Sequence, residues 1–196
     1  MKKRIFDICC VIPSLILISP LFVLIAVWIK LDSRGPIFFF QTRIGQFAKP
    51  FKIIKFRTMY VDIKGPKLTI GYDSRITRCG HFLRKFKLDE LPQLINVIKG
   101  EMSIVGPRPE VPKYVELYPD GIKEYVLSVP VGITDYASIE FRNESEMLAT
   151  SQQPEMDYIE KILPLKLAYH QQYVKNHSIY LDIILIFRTL KKVLFS

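Results

Sequence analysis

Apolar positions are spread unevenly along this chain, and their spacing changes character from one end to the other. From Ile5 to Ile29 the sequence is almost entirely apolar, broken by Asp7, Pro13, Ser14 and the Ser19-Pro20 pair. Lys2, Lys3 and Arg4 precede the run, and Lys30 and Arg34 follow it. No small-residue cleavage pattern marks it as a leader, since Ala26 is followed shortly by bulky Trp28. The run is long enough to cross roughly 30 Å of hydrocarbon as a straight helix. Cations at both ends nevertheless ask for both ends to stay on the cytoplasmic side. Pro20 removes a backbone donor in mid-run and kinks the helix, and Ser19 can satisfy a freed carbonyl. Two arrangements fit these facts: a bent, re-entrant helix–break–helix over residues 1–34, and an ordinary anchor with a proline kink.

Beyond residue 34 the pattern is that of one compact cytosolic domain, 35–196. Residues 37–43 and 51–57 are rich in aromatic and branched side chains, and Gly45 to Pro50 joins them, so a hairpin is expected. Asp62 to Tyr72, with Gly65-Pro66 and Gly71, lacks periodicity and reads as a mobile loop. Arg75 to Leu88 reads as helix, and Pro92 biases Leu91 away from helix, which places Asp89 and Glu90 at a helix end or bend. A second short helix runs from Leu91 to Ile98 and stops at Gly100; a further helix lies within 111–129. In the tail, apolar residues at 183, 186, 187, 190 and 194 follow the helical face period, with Arg188, Lys191 and Lys192 off that face. Such a helix can lie on a membrane surface or pack on a core with its basic side solvated. The fold class is therefore α+β, mainly helical with a small β-hairpin, carrying an N-terminal re-entrant helix and interfacial amphipathic helices.

Charge narrows the partners. With 28 Lys and Arg against 19 Asp and Glu among 196 residues, the formal net charge is +9. That surface attracts polyanions: nucleic acid, an anionic membrane face or phosphorylated substrates. No RNA-recognition, zinc-finger or basic-zipper signature is present, which argues against nucleic acid. The three cysteines, Cys9, Cys10 and Cys79, lack metal-ligand spacing and suit a reducing compartment. The three histidines form no zinc motif.

The chemistry-bearing stretch runs from Thr77 to Glu110, where the adjacent acids Asp89 and Glu90 lie between two sets of cations. Carboxylates beside Arg and Lys suit phosphoryl chemistry on an anionic substrate: one group holds a metal or attacks phosphorus while cations neutralise phosphate oxygens. On a regular helix the two acids would diverge by about 100°; a helix end lets one face a cleft while the other braces it. The plain alternative is a surface pair between Lys85 and Asp89, worth about 0.3–0.5 kcal/mol. Gly106-Pro107-Arg108-Pro109 shifts the balance, because the two prolines fix the backbone around Arg108 and give its guanidinium a stiff mount. Lys55 and Arg57 close a strand on the same side of its alternation, suited to anion binding or to solvation.

Four motifs occur in order: Ser19-Pro20 in the apolar helix, Lys55-Phe-Arg57-Thr-Met59, Leu88-Asp89-Glu90-Leu-Pro92-Gln93, and Ser103-Ile-Val-Gly-Pro-Arg108-Pro. Together they resemble the bacterial sugar transferase family, the monotopic polyprenyl-phosphate phosphoglycosyl transferases, over nearly the whole chain and in its minimal single-domain form. The resemblance implies a re-entrant helix on the cytoplasmic leaflet of a bacterial inner membrane. It implies transfer of a sugar-1-phosphate from a UDP-sugar to polyprenyl (undecaprenyl) phosphate with release of UMP, an early membrane step in building a glycan. By the same resemblance Asp89 is the nucleophile that forms a covalent phosphosugar intermediate. Glu90 helps bind or orient Mg²⁺ with Asp89, and Lys55, Arg84 and Arg108 handle phosphate. Ser19 and Pro20 hold the helix break.

Many relatives carry Gly-Ile-Thr-Gly-Trp-Ala-Gln in the later loop, whereas this chain reads Gly132-Ile-Thr-Asp135-Tyr136-Ala-Ser138 and retains Arg142 as a candidate substrate contact. The departure leaves the identity of the sugar open without touching the acid pair. The competing function is a membrane-anchored basic interaction module without turnover. A homodimer is compatible with an enzyme of this size, although no heptad signal asks for one.

Overall fold

A computed structural model describes residues 2–61, 71 and 73–195. The apolar run forms one helix, α1 (Lys2–Asp32), whose backbone stays helical across Pro13 and Pro20. The sequence placed a break at Ser19-Pro20, but the helix continues. Pro20 cannot donate to the Ile16 carbonyl, and Ser19 Oγ donates to that oxygen instead, at 2.8 Å. The hydroxyl thus repairs the bond that proline removes.

One side of α1 rests on the domain along its length. Asp7, Val11, Leu15, Ile18, Phe22, Ile25 and Ile29 recur at spacings of three and four, and all are buried or half-buried. Near the N-terminus Lys3 Nζ meets Asp182 Oδ2 at 2.5 Å, and Ser103 Oγ donates to Asp7 at 2.8 Å. Arg4 donates to the carbonyls of Val97 and Ile98. Near the C-terminus Asp32 accepts from the Cys79 amide at 3.0 Å, and Phe22 packs edge-on to Phe56. The opposite side leaves Ile16, Leu17, Val23, Leu24, Val27 and Leu31 exposed. A helix that is apolar all round needs an apolar partner on both sides.

The hairpin forms as the sequence expects. Strand β1 (Phe38–Ile44) pairs antiparallel with β2 (Pro50–Phe56), from Phe38 opposite Phe56 to Ile44 opposite Pro50. Helix α2 (Arg78–Lys85) starts on Thr77, whose hydroxyl accepts from the Gly80 amide at 2.9 Å. After a 3₁₀ turn at Leu88–Glu90, helix α3 (Gln93–Lys99) ends on Gly100, whose φ of 83° closes the last turn. The free edge of β2 is covered by one side chain of α3. Asn96 Oδ1 accepts from the Ile54 amide at 3.0 Å, and its Nδ2 donates to the Lys52 carbonyl at 2.8 Å. This pair of bonds mimics a neighbouring strand and fixes α3 beside β2.

Strand β3 (Ser103–Val105), helices α4 (Pro112–Val115) and α5 (Ile122–Val126), and strand β4 (Gly132–Thr134) follow. The region 111–129 therefore holds two short helices. Strands β3 and β4 pair in parallel, a second small sheet that the hydrophobic pattern does not announce. Helices α6 (Tyr136–Glu140), α7 (Glu144–Met147) and α8 (Pro154–Asp157) lead through a π-helical turn, Tyr158–Ile162, into α9 (Leu163–Asn176) and α10 (Ile179–Leu194). The main core gathers Val11 and Ile53 with Val97, Tyr158, Leu163 and Leu167; Ile25, Ile29, Phe56, Cys79 and Leu83 form a second cluster under α1. The expected loop at 62–72 lies outside the described residues, apart from Gly71.

Parallel pairing of β3 with β4 depends on two glycines. A Cβ at Gly132 would lie 2.1 Å from the Gly106 nitrogen and 2.6 Å from its oxygen, both backbone atoms that cannot swing aside. Gly132→Ala is expected to lower stability by about 1–3 kcal/mol, read as a fall in Tm of roughly 2–4 °C per kcal/mol at this chain length. A Tm equal to that of the parent would show that the strands can separate without cost.

Candidate active site

The acid pair sits where the 3₁₀ turn joins α2 to α3. Phe86 ends α2, and Lys87 takes a left-handed backbone conformation (φ 55°) that swings the chain into the turn. For a residue with a Cβ that conformation costs about 1–2 kcal/mol. The two acids consequently do not share a helix, and their side chains enter different surroundings.

Glu90 is fully engaged. Lys55 Nζ, from β2, donates to its Oε1 at 2.8 Å; Arg108 donates to Oε2 at 3.0 Å and also to Oε1. Burial alone would raise the Glu90 carboxyl, but the charges of Arg108 and Lys55 outweigh it and hold the group well below the usual carboxylate range. Asp89 is the opposite case. It is only 8% exposed, and its Oδ1 meets no hydrogen-bond partner among the described residues. Burial pushes its pKa up, Glu90 adds to that, and the cations Lys55, Lys87 and Arg84 only partly compensate. A carboxylate with an unsatisfied oxygen among cations is a stronger base and nucleophile than a solvated one, and a ready metal donor.

Arg108 has the stiff mount that its flanking prolines suggest. Gly106 N donates to the Thr134 carbonyl and Gly132 N to the Pro107 carbonyl, each at 3.0 Å, so the segment is stitched to β4. On the other side Arg43 donates to the Pro109 carbonyl at 3.1 Å, and the Ile44 amide to the Glu110 carbonyl at 3.0 Å. Between these attachments the guanidinium reaches Glu90 and the Ile133 carbonyl.

Lys55, Asp89, Glu90 and Arg108 thus meet, and Arg84 acts on Asp89 by charge. Arg57 does not join them. It is buried and donates to the Pro36 and Ser33 carbonyls at 2.6 and 2.9 Å and to the Ser33 hydroxyl at 2.7 Å. It therefore ties the end of α1 to β2. The shared side of the strand alternation does not carry over, because Arg57 lies beyond the last paired residue of β2. Arg142 is also elsewhere, donating to the carbonyls of Lys192 and Lys85 and so joining α10 to α2. Lys85 forms no pair with Asp89; it is exposed, over the Phe86 ring. Ser19 and Pro20 lie within α1, as described.

Three features escaped the sequence. One is Lys87, visible as a cation but not as a left-handed residue. Another is the network around Glu110, which accepts from Lys166 at 2.6 Å, Tyr158 at 2.7 Å and Arg43 at 3.4 Å, while Lys166 also reaches Glu144 at 3.1 Å. The last is the base of the divergent loop. Asp135 caps α6 by accepting from the Ser138 amide and hydroxyl at 2.8 and 2.7 Å, and its other oxygen lies 3.0 Å from His170 Nε2 on α9. That last contact is close but falls outside hydrogen-bond alignment. No local periodicity marks Lys166 or His170, which project from a helix the sequence pattern leaves unassigned.

Known proteins resemble this chain along its whole length. A family model described as bacterial sugar transferase matches residues 1–196. An "undecaprenyl-phosphate glucose phosphotransferase" from Komagataeibacter xylinus is 38% identical over 100% of this chain and 36% of its own length. "Exopolysaccharide production protein ExoY" of Rhizobium meliloti is 36% identical over 100% of this chain and 87% of its own. A "UDP-glucose:undecaprenyl-phosphate glucose-1-phosphate transferase" of Escherichia coli is 40% identical over 97% of this chain and 39% of its own. The chain thus spans little more than a third of two of these relatives and most of ExoY.

Glu110 gives the site a defined acid sensitivity. Burial would raise its carboxyl, but Lys166 and Arg43 bring it from 4.5 down to about 2. A depressed carboxyl contributes stability that is present above its unfolded pKa and lost as pH falls through the folded one. The parent should therefore lose on the order of 3 kcal/mol between about pH 4.5 and 2 from this group. Glu110→Gln should be weaker at neutral pH and flatter across that window. Urea midpoints measured against pH check this, and parallel curves for the two proteins would refute it.

Proposed function

The chain belongs to the bacterial sugar transferase family, and from that membership we propose that it transfers a sugar-1-phosphate from a UDP-sugar to polyprenyl phosphate through Asp89. The observation that carries this reading is the division of labour in the acid pair. Glu90 is held by Lys55 and Arg108, whereas Asp89 keeps a buried oxygen without a partner. A free Asp89 oxygen attacks the phosphorus that bears the sugar, and the bond to UMP breaks with its electron pair leaving on UMP. An oxygen of the polyprenyl phosphate then attacks the same phosphorus, Asp89 departs as carboxylate, and polyprenyl-diphosphate-sugar results. Arg84 is placed to draw phosphate charge toward Asp89. Lys55 and Arg108 keep Glu90 ionised and fixed, so that the neighbouring negative charge is offset before substrate arrives.

Mg²⁺ fits this site as an ion shared with substrate. Among the described residues no group of three or more His, Cys, Asp or Glu could cage a metal. Mg²⁺ needs only one or two carboxylates, with phosphates and water completing its shell. Asp89 is the available donor, through the oxygen that does not attack phosphorus, and Glu90 would orient it. Bound there, the ion would supply positive charge against the diphosphate.

The packing of α1 supports a monotopic arrangement on the cytoplasmic leaflet of the bacterial inner membrane, with both ends of the unbroken helix on the cytoplasmic side. A helix of 31 residues is about 45 Å long. Both of its ends make polar contacts with one domain, through Lys3, Arg4 and Asp7 at one and Asp32 at the other. A helix crossing the bilayer would carry one end away from a domain held on a single side. With its inner side on protein, the exposed outer side is left to lipid. Trp28, Phe82 and Phe86 form a partly exposed aromatic cluster where α1 meets α2, the residue types that favour a bilayer interface. Tyr180, Ile183, Phe187 and Leu190 offer a second exposed apolar strip on α10.

Two measurements test these readings. Purified protein given polyprenyl phosphate, Mg²⁺ and a panel of UDP-sugars should release UMP with at least one donor. Asp89→Asn should cut that release by about 10³-fold or more while remaining folded and membrane-bound, and chelation of Mg²⁺ should abolish it. Full activity in Asp89→Asn would sink the nucleophile assignment; silence across the panel from folded protein would favour the interaction module. For topology, Lys2→Cys and Arg34→Cys, each in a background with Cys9 and Cys10 changed to Ala, should be labelled only from the cytoplasmic side. Periplasmic labelling of either position would mean a true span.

A further inference from the structure

The cations around the acid pair are unequally committed. Lys55 is spent on Glu90, and Arg108 on Glu90 and the Ile133 carbonyl. Arg43 is divided among Gln41, the Pro109 carbonyl and Glu110. None of these three can turn to an incoming phosphate without abandoning an acceptor. Lys87 is different. It is half-buried, and its ammonium lies within electrostatic reach of Glu90, Arg108, Asp89 and Lys55. Among the described residues that ammonium makes no hydrogen bond or ion pair, although the Lys87 backbone bonds to Arg84 and Glu90. A charge partly withdrawn from water with no acceptor is one that a ligand can complete.

The backbone points the same way. Lys87 adopts φ 55° immediately before the turn that carries both acids, and its carbonyl accepts from the Glu90 amide at 3.3 Å. Glycine or asparagine would hold that left-handed corner more easily. The strain is stored two residues from Asp89, at the one place where the chain turns its acids into different environments.

We propose that Lys87 is a substrate-binding residue of this site, its uncommitted ammonium taking the negative charge of the donor's diphosphate beside Asp89. The proposal rests on the transferase reading for the identity of the donor. Arg84 divides its influence between Asp89 and Asp73, whereas Lys87 interacts with both acids of the pair and with both cations that hold Glu90. It is thus the cation through which a bound diphosphate would feel the whole clamp.

The test compares full-length parent, Lys87→Asn and Lys87→Arg in lipid nanodiscs. Asparagine tolerates the left-handed corner, so loss of fold is not expected, and thermal unfolding confirms it. Affinity for UDP is measured directly, beside KM and kcat for UMP release. Lys87→Asn should weaken UDP binding and raise KM for the UDP-sugar at least tenfold with an unchanged or higher Tm, and Lys87→Arg should return both to within threefold of the parent. UDP affinity and KM within twofold of the parent in Lys87→Asn would overturn the proposal, as would a loss that Lys87→Arg does not rescue. The two readings fail separately. A parent that releases UMP while Lys87→Asn is unaffected leaves the transferase standing without this residue. A parent that binds UDP in a Lys87-dependent way but never releases UMP keeps the phosphate contact and removes the transfer reaction.

Discussion

Glu90 is the point at which three distant parts of the chain are forced to agree. Lys55 comes from the hairpin, Arg108 from the proline-flanked segment stitched to β4, and the carboxylate itself from the turn between α2 and α3. A half-buried carboxylate with two cations is costly to leave incomplete, since removing any one partner strands a charge in a poorly solvated place. The rest of the local structure serves this meeting. Asn96 fixes α3 against the edge of β2, which sets the turn opposite Lys55. The bonds from Gly106 and Gly132 hold the segment bearing Arg108 at the correct distance. With Glu90 satisfied in this way, Asp89 is left as the acid whose chemistry is unspent.

The same architecture joins the long apolar helix α1 to the site by short paths. Arg57 fastens the end of α1 to the residue that follows β2, two positions from Lys55. At the other end Asp7 accepts from Ser103 and from the Ile104 amide, on the strand that leads into Arg108. Both of the cations on Glu90 therefore sit within a few residues of an anchor of α1. A bilayer that pulled the helix away from the domain would act on both arms of the clamp. The helix is for this reason better regarded as one wall of the domain than as a detachable anchor.

Local signals were legible where local physics decides the outcome. The hairpin followed from aromatic and branched runs around a glycine-containing connection, α3 from its stop at Gly100, and the tail helix from its period. The prolines around Arg108 announced a rigid mount, and the rigidity is real, although it is completed by strand pairing and by Arg43. What could not be read was set by distance in sequence. Arg57 and Lys55 look equivalent in the motif, yet one is turned to backbone carbonyls and the other to an acid 35 residues away. The parallel pairing of β3 and β4 joins two three-residue strands, too short to show a period. At Pro20 the sequence correctly identified a missing donor and a serine able to replace it, and that bond is present where the helix runs on through the expected break.

The divergent loop shows how such non-local partners constrain a family motif. At the head of this loop stands Asp135, and an ionised carboxyl there needs several partners to be tolerated in a fully buried position. Ser138 provides two donors from three residues away, and His170 Nε2 on α9 lies 3.0 Å from the other carboxyl oxygen. Burial alone would raise the Asp135 carboxyl; His170 and Ser138 more than offset it and bring it below its ordinary value. The aspartate, the serine and the histidine thus form one mutually dependent set. None of them reaches the acid pair, and all of them fix where β4 ends and α6 begins. Since β4 also carries the Ile133 carbonyl that Arg108 contacts, a change in this loop need not touch the reacting atoms to alter how the clamp is seated.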